Sequence, residues 1–279
     1  MGQPSFFDRE NRLQSISQLG DPLERLTAVI PWEVFRPQLK PVHEKERKSN
    51  AGRKPFEVVL MFKILILQTL YNLADEQVEY QIRDRLSFAR FLGLGLEDEV
   101  PDATTVWRFR ERLKELGLLE TVFNRFDDFL VAEGFEAKQG QIIDASIVPV
   151  PIQRNPREAN RRIKNGEVPQ DWGDAKRAQK DVDGRWTGKR GKKYFGYKNH
   201  LSIDAKHKLI RRFETTPANV HDSRVFHVFG FQENSMGGKF IRTIGLARAK
   251  LKIGLMNLTY NLMRYLQLTK GRESTLAIA

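Results

Sequence analysis

The chain has 279 residues, 40% of them hydrophobic and 29% charged, with 18 Phe and 4 Trp; this supports the core of one large or two modest domains and excludes a fibrous or disordered protein. It has no Cys, which excludes disulfides, thiolate zinc sites and cysteine nucleophiles and fits a reducing cytosol. The net charge of +12 is concentrated: residues 151–212 hold 18 Lys or Arg against 7 Asp or Glu, a local +11. Such a basic stretch suits a polyanion, nucleic acid first, although a solvated loop would carry the same charge.

The opening MGQPSFFDRENR carries acids and no apolar signal-like core. The most apolar run, residues 58–73, is interrupted by Lys63 and Gln68 and is shorter than the roughly 20 residues of a bilayer crossing. The expectation is a cytoplasmic protein with no membrane partner. Residues 1–55 read as an irregular lead-in, with Pro22, Pro31, Pro37 and Pro41 limiting helix length. From Pro55, the series Val58, Val59, Phe62, Leu65, Ile66, Thr69 has helical spacing, and helix continues to Leu92. Asp102 is the expected N-cap of a helix over 103–116 closed by Gly117. Arg108, Arg110 and Arg112 share that segment with Val106, Phe109 and Leu113, as in a recognition helix able to lie in a major groove or, equally, in a helix that solvates its polar face.

The period then changes. Residues 141–149 are rich in β-branched side chains between Gly140 and Pro149 and predict a strand with Asp144 near its middle. The basic insertion 151–193 shows no periodicity and is expected to be a mobile surface loop. Residues 194–203 and 208–215 predict two more strands, completing a three-stranded antiparallel meander, and Lys198 and His200 fall on one face with Asn199 on the other. His221 and Asp222 stand at a helix opening, with Asp222 the expected cap. A long final helix over 239–268 carries a stripe of Leu251, Leu255, Leu258, Leu262 and Leu266 that must pack on the sheet. Asp144, among apolar neighbours, must face solvent, be paired, or hold a cation, and magnesium is the cation suited to carboxylates that act on phosphates.

Several of these segments together have a familiar order. Gly52-Arg53-Lys54-Pro55 before a helix, Leu86-Ser87-Phe88 to Phe91-Leu92-Gly93-Leu94, and Pro101-Asp102-Ala103-Thr104-Thr105-Val106-Trp107-Arg108-Phe109-Arg110 resemble the N-terminal region of bacterial insertion-sequence transposases of the fifth group. Ile142-Ile143-Asp144-Ala145-Ser146 is similar to that family's first catalytic strand. Phe195-Gly196-Tyr197-Lys198-Asn199-His200 with Asp204 is similar to its second and third, and Asn219-Val220-His221-Asp222-Ser223 also matches. The resemblance implies an α+β chain: a helical DNA-binding region over 1–135, then over 136–279 an RNase H-like domain of antiparallel strands and a long C-terminal helix, with the insertion at 151–193. It implies cut-and-join of DNA by an Asp-Asp-Glu site holding Mg2+, the double-stranded terminal inverted repeats of the element as partner, and leaves a homodimer open.

The sequence departs from that family after the His-Asp-Ser motif. Relatives continue into a strand bearing a second catalytic Asp and a later helix bearing Glu before His. Here Ser223-Arg224-Val225-Phe226 runs directly into His227-Val228-Phe229-Gly230, as after an internal deletion, and Phe226 stands where the family places Glu. Asp144 alone carries over as catalytic residue and metal ligand; Asp204, Asp222 and Glu233 do not match. The implied product is a truncated RNase H-like domain with impaired strand transfer. Candidate DNA contacts are Arg108, Arg110, Arg112, Lys189, Arg190, Lys192, Lys193 and Lys198. The alternatives are retained nicking with Asp222 or Glu233 as substitute ligands, a non-catalytic DNA-binding remnant that inhibits intact copies, and a decayed product that does not fold.

Overall fold

The structure, a computed structural model, describes residues 7–44, 54–137, 140–220 and 240–276; of Ile143 and residues 271–276 the backbone alone is described. The chain divides into two compact units, one of residues 1–129 with 262–279 and one of residues 130–261.

In the first unit the expected irregular lead-in is helical instead. Helices α1 (Asp8–Gln18), α2 (Pro22–Val29) and α3 (Arg36–Leu39) occupy it, with 3-10 turns before and after α3. The prolines begin these elements rather than break them. Pro22 is the first residue of α2, where no N–H is needed, and the preceding Asp21 accepts the Leu23 N–H at 2.9 Å. Next come α4 (Val58–Leu70), α5 (Asp75–Asp84), α6 (Leu86–Leu92), α7 (Ala103–Glu115) and α8 (Leu118–Ala132). Helix α4 is apolar around its whole circumference because it is the centre of the unit: Met61, Phe62, Ile64, Leu65, Ile66 and Leu67 are all buried.

Its three polar residues are all engaged, Thr69 through its hydroxyl on the Leu65 carbonyl at 2.8 Å. Lys63 lies over the rings of Trp32 and Phe91 and donates to the Phe91 carbonyl at 2.8 Å, and burial pulls its pKa down. Gln68 donates to Asp75 at 2.6 Å. Phe126 and Phe129 of α8 pack their rings on Tyr265.

The second unit is built on one antiparallel sheet. Strand β1 (Gln141–Pro149) falls where the sequence places it, but among the described residues the sheet has four strands rather than three. The addition, β2 (Arg185–Lys189), comes from within the basic insertion and forms a hairpin with β3 (Lys192–Asp204). Strand β3 is long enough to pair with β1 over 196–204, with β2 over 192–196 and with β4 (Ile210–Pro217) over 197–203.

The insertion is therefore ordered in structure, against the expectation of an irregular loop. It contains α9 (Arg157–Lys164) and α10 (Asp174–Ala178), and Ala159 and Ile163 of α9 close a small core with Trp172 and Val182. The spacing of four between Ala159 and Ile163 was masked by the Arg and Lys residues around it. The final helix, α11 (Leu246–Leu276), packs its first part on the sheet, where Ala249, Ile253 and Met256 meet Val148, Val150 and Tyr197. Asn261 of α11 accepts the Ile210 N–H at 2.8 Å and donates to the Ile210 carbonyl at 2.7 Å, standing in for a strand partner beside the register shift at Ser202 and Ile203.

Candidate functional site

Asp144 sits at the middle of β1, opposite Leu201 of β3, and is 6% exposed. Strand alternation puts it on the same face as Ser146 and Val148, and cross-strand register puts it with Asn199 and Tyr197. That face is the one α11 covers. One carboxylate oxygen accepts the Ala145 N–H at 2.5 Å. The part of α11 that lies over this face brings amides rather than carboxylates: Asn257 pairs with Asn199, Asn261 holds Ile210, and no Asp or Glu occurs in the helix before Glu273.

The carboxylate of Asp204, at the end of β3, is fully committed to its turn. It accepts the Lys206 and His207 N–H groups at 2.8 and 3.1 Å, the His207 ring nitrogen at 2.6 Å and the Arg211 guanidinium at 3.1 Å. Burial acts to raise its pKa, but the hydrogen bonds from His207, Lys206 and Arg211 outweigh burial and hold it below the ordinary value. Asp181 is likewise structural: it takes the Tyr197 hydroxyl and the N–H groups of Asp183 and Gly184, while Asp183 accepts the Leu246 N–H at the start of α11. Burial, then the bond to Asp181, pushes the Tyr197 phenol up.

Magnesium bound for two-metal chemistry needs several carboxylates converging on one point. Among the described residues no group of three or more His, Asp or Glu could hold a metal ion. The described residues therefore do not fit such a site. His221, Asp222, Phe226 and Glu233, with the junction where the sequence suggests a deletion, lie outside the described residues.

The basic candidates fall into three settings. Lys189, Arg190, Lys192 and Lys193 are brought together at the tip of the β2–β3 hairpin, all exposed. The turn Arg190-Gly191 has both φ angles positive, 50° and 78°, the geometry of a tight two-residue hairpin turn matched to strand twist. From Arg185 to Ile203 there is no acid to offset these charges. Lys198 differs: it is 4% exposed and its ammonium donates to the Val220 carbonyl, while His200 on the same face contacts the Thr216 hydroxyl at 2.6 Å.

On α7 the three arginines separate. The cap is as the sequence predicts, Asp102 accepting the Thr105 N–H at 2.6 Å, and Glu79 of α5 adds a second acceptor for the Ala103 N–H. Arg110 is held by Asp75 through two bonds of 2.6 and 2.7 Å and by Gln68 at 3.0 Å, locking α7 to α5 and α4. Arg112 lies 3.5 Å from Glu115. Arg108 is exposed beside Trp107, itself 45% exposed.

Sequence reasoning missed Asp181, Trp186, Asn257 and Asn261. For the two asparagines a signal existed: they are four residues apart and interrupt the apolar face of α11, where a polar residue needs a partner.

A helical unit followed by an antiparallel sheet covered by a long helix is a framework shared by many proteins, and comparison with known families narrows it to a transposase. Residues 10–112 match the family model described as Transposase domain (DUF772), and residues 136–244 match the Transposase DDE domain. The chain is, on these two domains together, a DDE transposase of insertion-sequence type. Proteins of that family use a divalent metal and bind the DNA of their element. No solved structure matches the chain. Among the described residues no single helix is long and apolar enough to cross a membrane.

Proposed function

We propose that this chain binds the double-stranded ends of its insertion element, the terminal inverted repeats, and that its cut-and-join chemistry is impaired. The observation that carries the binding half is the hairpin tip at 189–193, where four exposed cations share a short, well-defined turn in a stretch, 185–203, that contains no acid in sequence. Like charges gathered this closely repel one another; a phosphate backbone relieves that repulsion and releases counterions. Arg108 and Trp107 on α7 add a second exposed basic and aromatic surface in a helix of recognition type.

The impaired half rests on Asp144. In this reading residues 136–279 are an RNase H-like domain of the fifth-group kind that has lost a segment after Phe226, and Asp144 is the metal ligand that remains. The side of the sheet it faces is closed by a helix presenting Asn257 and Asn261. Strand transfer needs carboxylates on both sides of the ion pair, and amides bind magnesium too weakly to replace them. The protein would then act as an inhibitor that occupies element ends, alone or as a homodimer.

The test is a cleavage and retardation assay on labelled element ends with magnesium or manganese against chelator. The expected result is retardation that weakens steeply with salt, without nicks, in wild type and Asp144→Asn alike. Metal-dependent nicks lost in Asp144→Asn would overturn the impaired reading, and salt-independent binding would overturn the electrostatic one.

A further inference from the structure

Strand β1 stands at an end of the sheet: β3 pairs with one of its edges, and among the described residues no strand pairs with the other. Backbone direction alternates along it. Val150 donates its N–H to the Phe195 carbonyl and Gly140 accepts the Ala205 N–H, so even-numbered residues from 140 to 150 turn their backbone groups toward β3 and odd-numbered ones turn theirs outward. Of the outward groups, the Pro149 carbonyl accepts the Ile241 N–H at 3.0 Å, and the Ala145 N–H is taken by the Asp144 carboxylate at 2.5 Å. The N–H and carbonyl groups of Ile143 and Ile147, and the carbonyl of Ala145, have no hydrogen bond among the described residues.

A strand edge of this kind is a template for another strand. The usual protections are missing from it. Nine residues is long for an edge, β1 carries no Lys or Arg, its one proline is its last residue, and Ile142, Ser146 and Ile147 along it are only half-buried.

The residues of β1 say which strand fits. We infer that the outer edge of β1 pairs antiparallel with the same edge of a second copy of this chain, about a two-fold axis at Ala145, joining the two sheets into one. Two-fold pairing sets each residue opposite the one equally far beyond the axis. With the axis at Ala145, Ile143 falls opposite Ile147 of the second copy, and Asp144 falls opposite Ser146, a carboxylate facing a hydroxyl that can donate to it, twice by symmetry. Neighbouring registers fail at the same residue. An axis at Asp144 sets the two carboxylates against each other, and an axis at Ile143, Ser146 or Ile147 sets the carboxylate opposite Ile142, Val148 or Val150. Only the register at Ala145 places a hydrogen-bond donor there, and it also pairs the outward backbone groups of residues 143, 145 and 147 in both copies. The interface is independent of DNA binding, which neither requires nor forbids it.

The full chain is followed by sedimentation velocity over a concentration series, beside Ile147→Pro. That substitution removes an outward N–H and no bond to β3, so dilute protein should melt as wild type does, while the dimer dissociation constant should rise about tenfold, two hydrogen bonds being lost by symmetry. Because the chain has no Cys, single cysteines read the register. Ala145→Cys lies on the axis, facing its counterpart across a pair whose Cα atoms are about 5.5 Å apart, and should cross-link under a mild added oxidant. Ile147→Cys, more exposed but opposite Ile143, should not. A monomer at every concentration overturns the proposal, and slow hydrogen exchange at Ile143 and Ile147 in that monomer would assign the edge to a segment of the same chain. A dimer that Ile147→Pro leaves unchanged, or in which Ile147→Cys cross-links as fast as Ala145→Cys, overturns this edge as its interface. Should Ile147→Pro not fold, the two cysteine variants decide alone.

Discussion

Asn199 of β3 and Asn257 of α11 exchange amide hydrogen bonds, 2.9 Å from Asn199 Nδ2 to Asn257 Oδ1 and 3.2 Å in return, with neither residue more than 1% exposed. The pair sets the rotation and height of the helix on the sheet, because any slip leaves two amides buried and unsatisfied. Asn257→Leu should lower stability by about 2 kcal/mol, and Asn199→Leu with Asn257→Leu should restore part of that loss, since both partners are then apolar. Urea unfolding of the four members of this cycle checks it; strictly additive losses would show that the two amides act independently.

Gly196 adopts φ +151°, and a Cβ there would lie 2.3 Å from the Val148 carbonyl oxygen and 3.0 Å from Pro149 Cα. The contact is with backbone, so no side-chain rearrangement can relieve it. Gly196→Ala should cost about 3 kcal/mol or more by separating β1 from β3. An unfolding midpoint equal to that of wild type would rule this out.

Asp204 gives the fold a defined acid sensitivity. Its folded pKa is held below the ordinary 3.8, so its stabilisation is present in full above that value and is lost as pH falls through the lower folded one. Asp204→Asn should weaken the protein at neutral pH and flatten its stability profile below about pH 4. Thermal unfolding between pH 2 and 7 measures both; parallel profiles for wild type and variant would place the acid sensitivity elsewhere.

The arginines of α7 should divide by function. Arg110→Ala leaves Asp75 and Gln68 without their shared donor and should lower the melting temperature, a loss of about 2–3 kcal/mol. Arg108→Ala should leave melting unchanged and reduce the salt slope of DNA binding by about 1, the signature of one lost phosphate contact. Calorimetry and salt titration of both variants read the two effects separately, and a shift in melting for Arg108→Ala would contradict the assignment.

The candidate site was legible in the sequence where chemistry is local. Asp144 stands out because a carboxylate among β-branched residues is anomalous wherever it occurs, and the charge of 189–193 is visible in composition. The sorting of Arg108 from Arg110 was not legible: the two are alike in sequence and differ only because Asp75 and Gln68, 35 and 42 residues away, reach one of them.

By itself the sequence determined the elements whose signals lie within one turn or one strand: the Asp102 cap, the extent of β1 and the helical run after Pro55. It misjudged residues 7–42, where proline reads as a breaker until its place at the start of a helix is known, and the insertion, where Arg and Lys conceal the Ala159 and Ile163 face. Tertiary structure alone decided that β2 joins the sheet, that Asp144 faces a helix bearing amides, and which cations remain exposed. Backbone preference and hydrophobic period are properties of neighbouring residues, whereas burial and pairing depend on chain segments that approach only after folding.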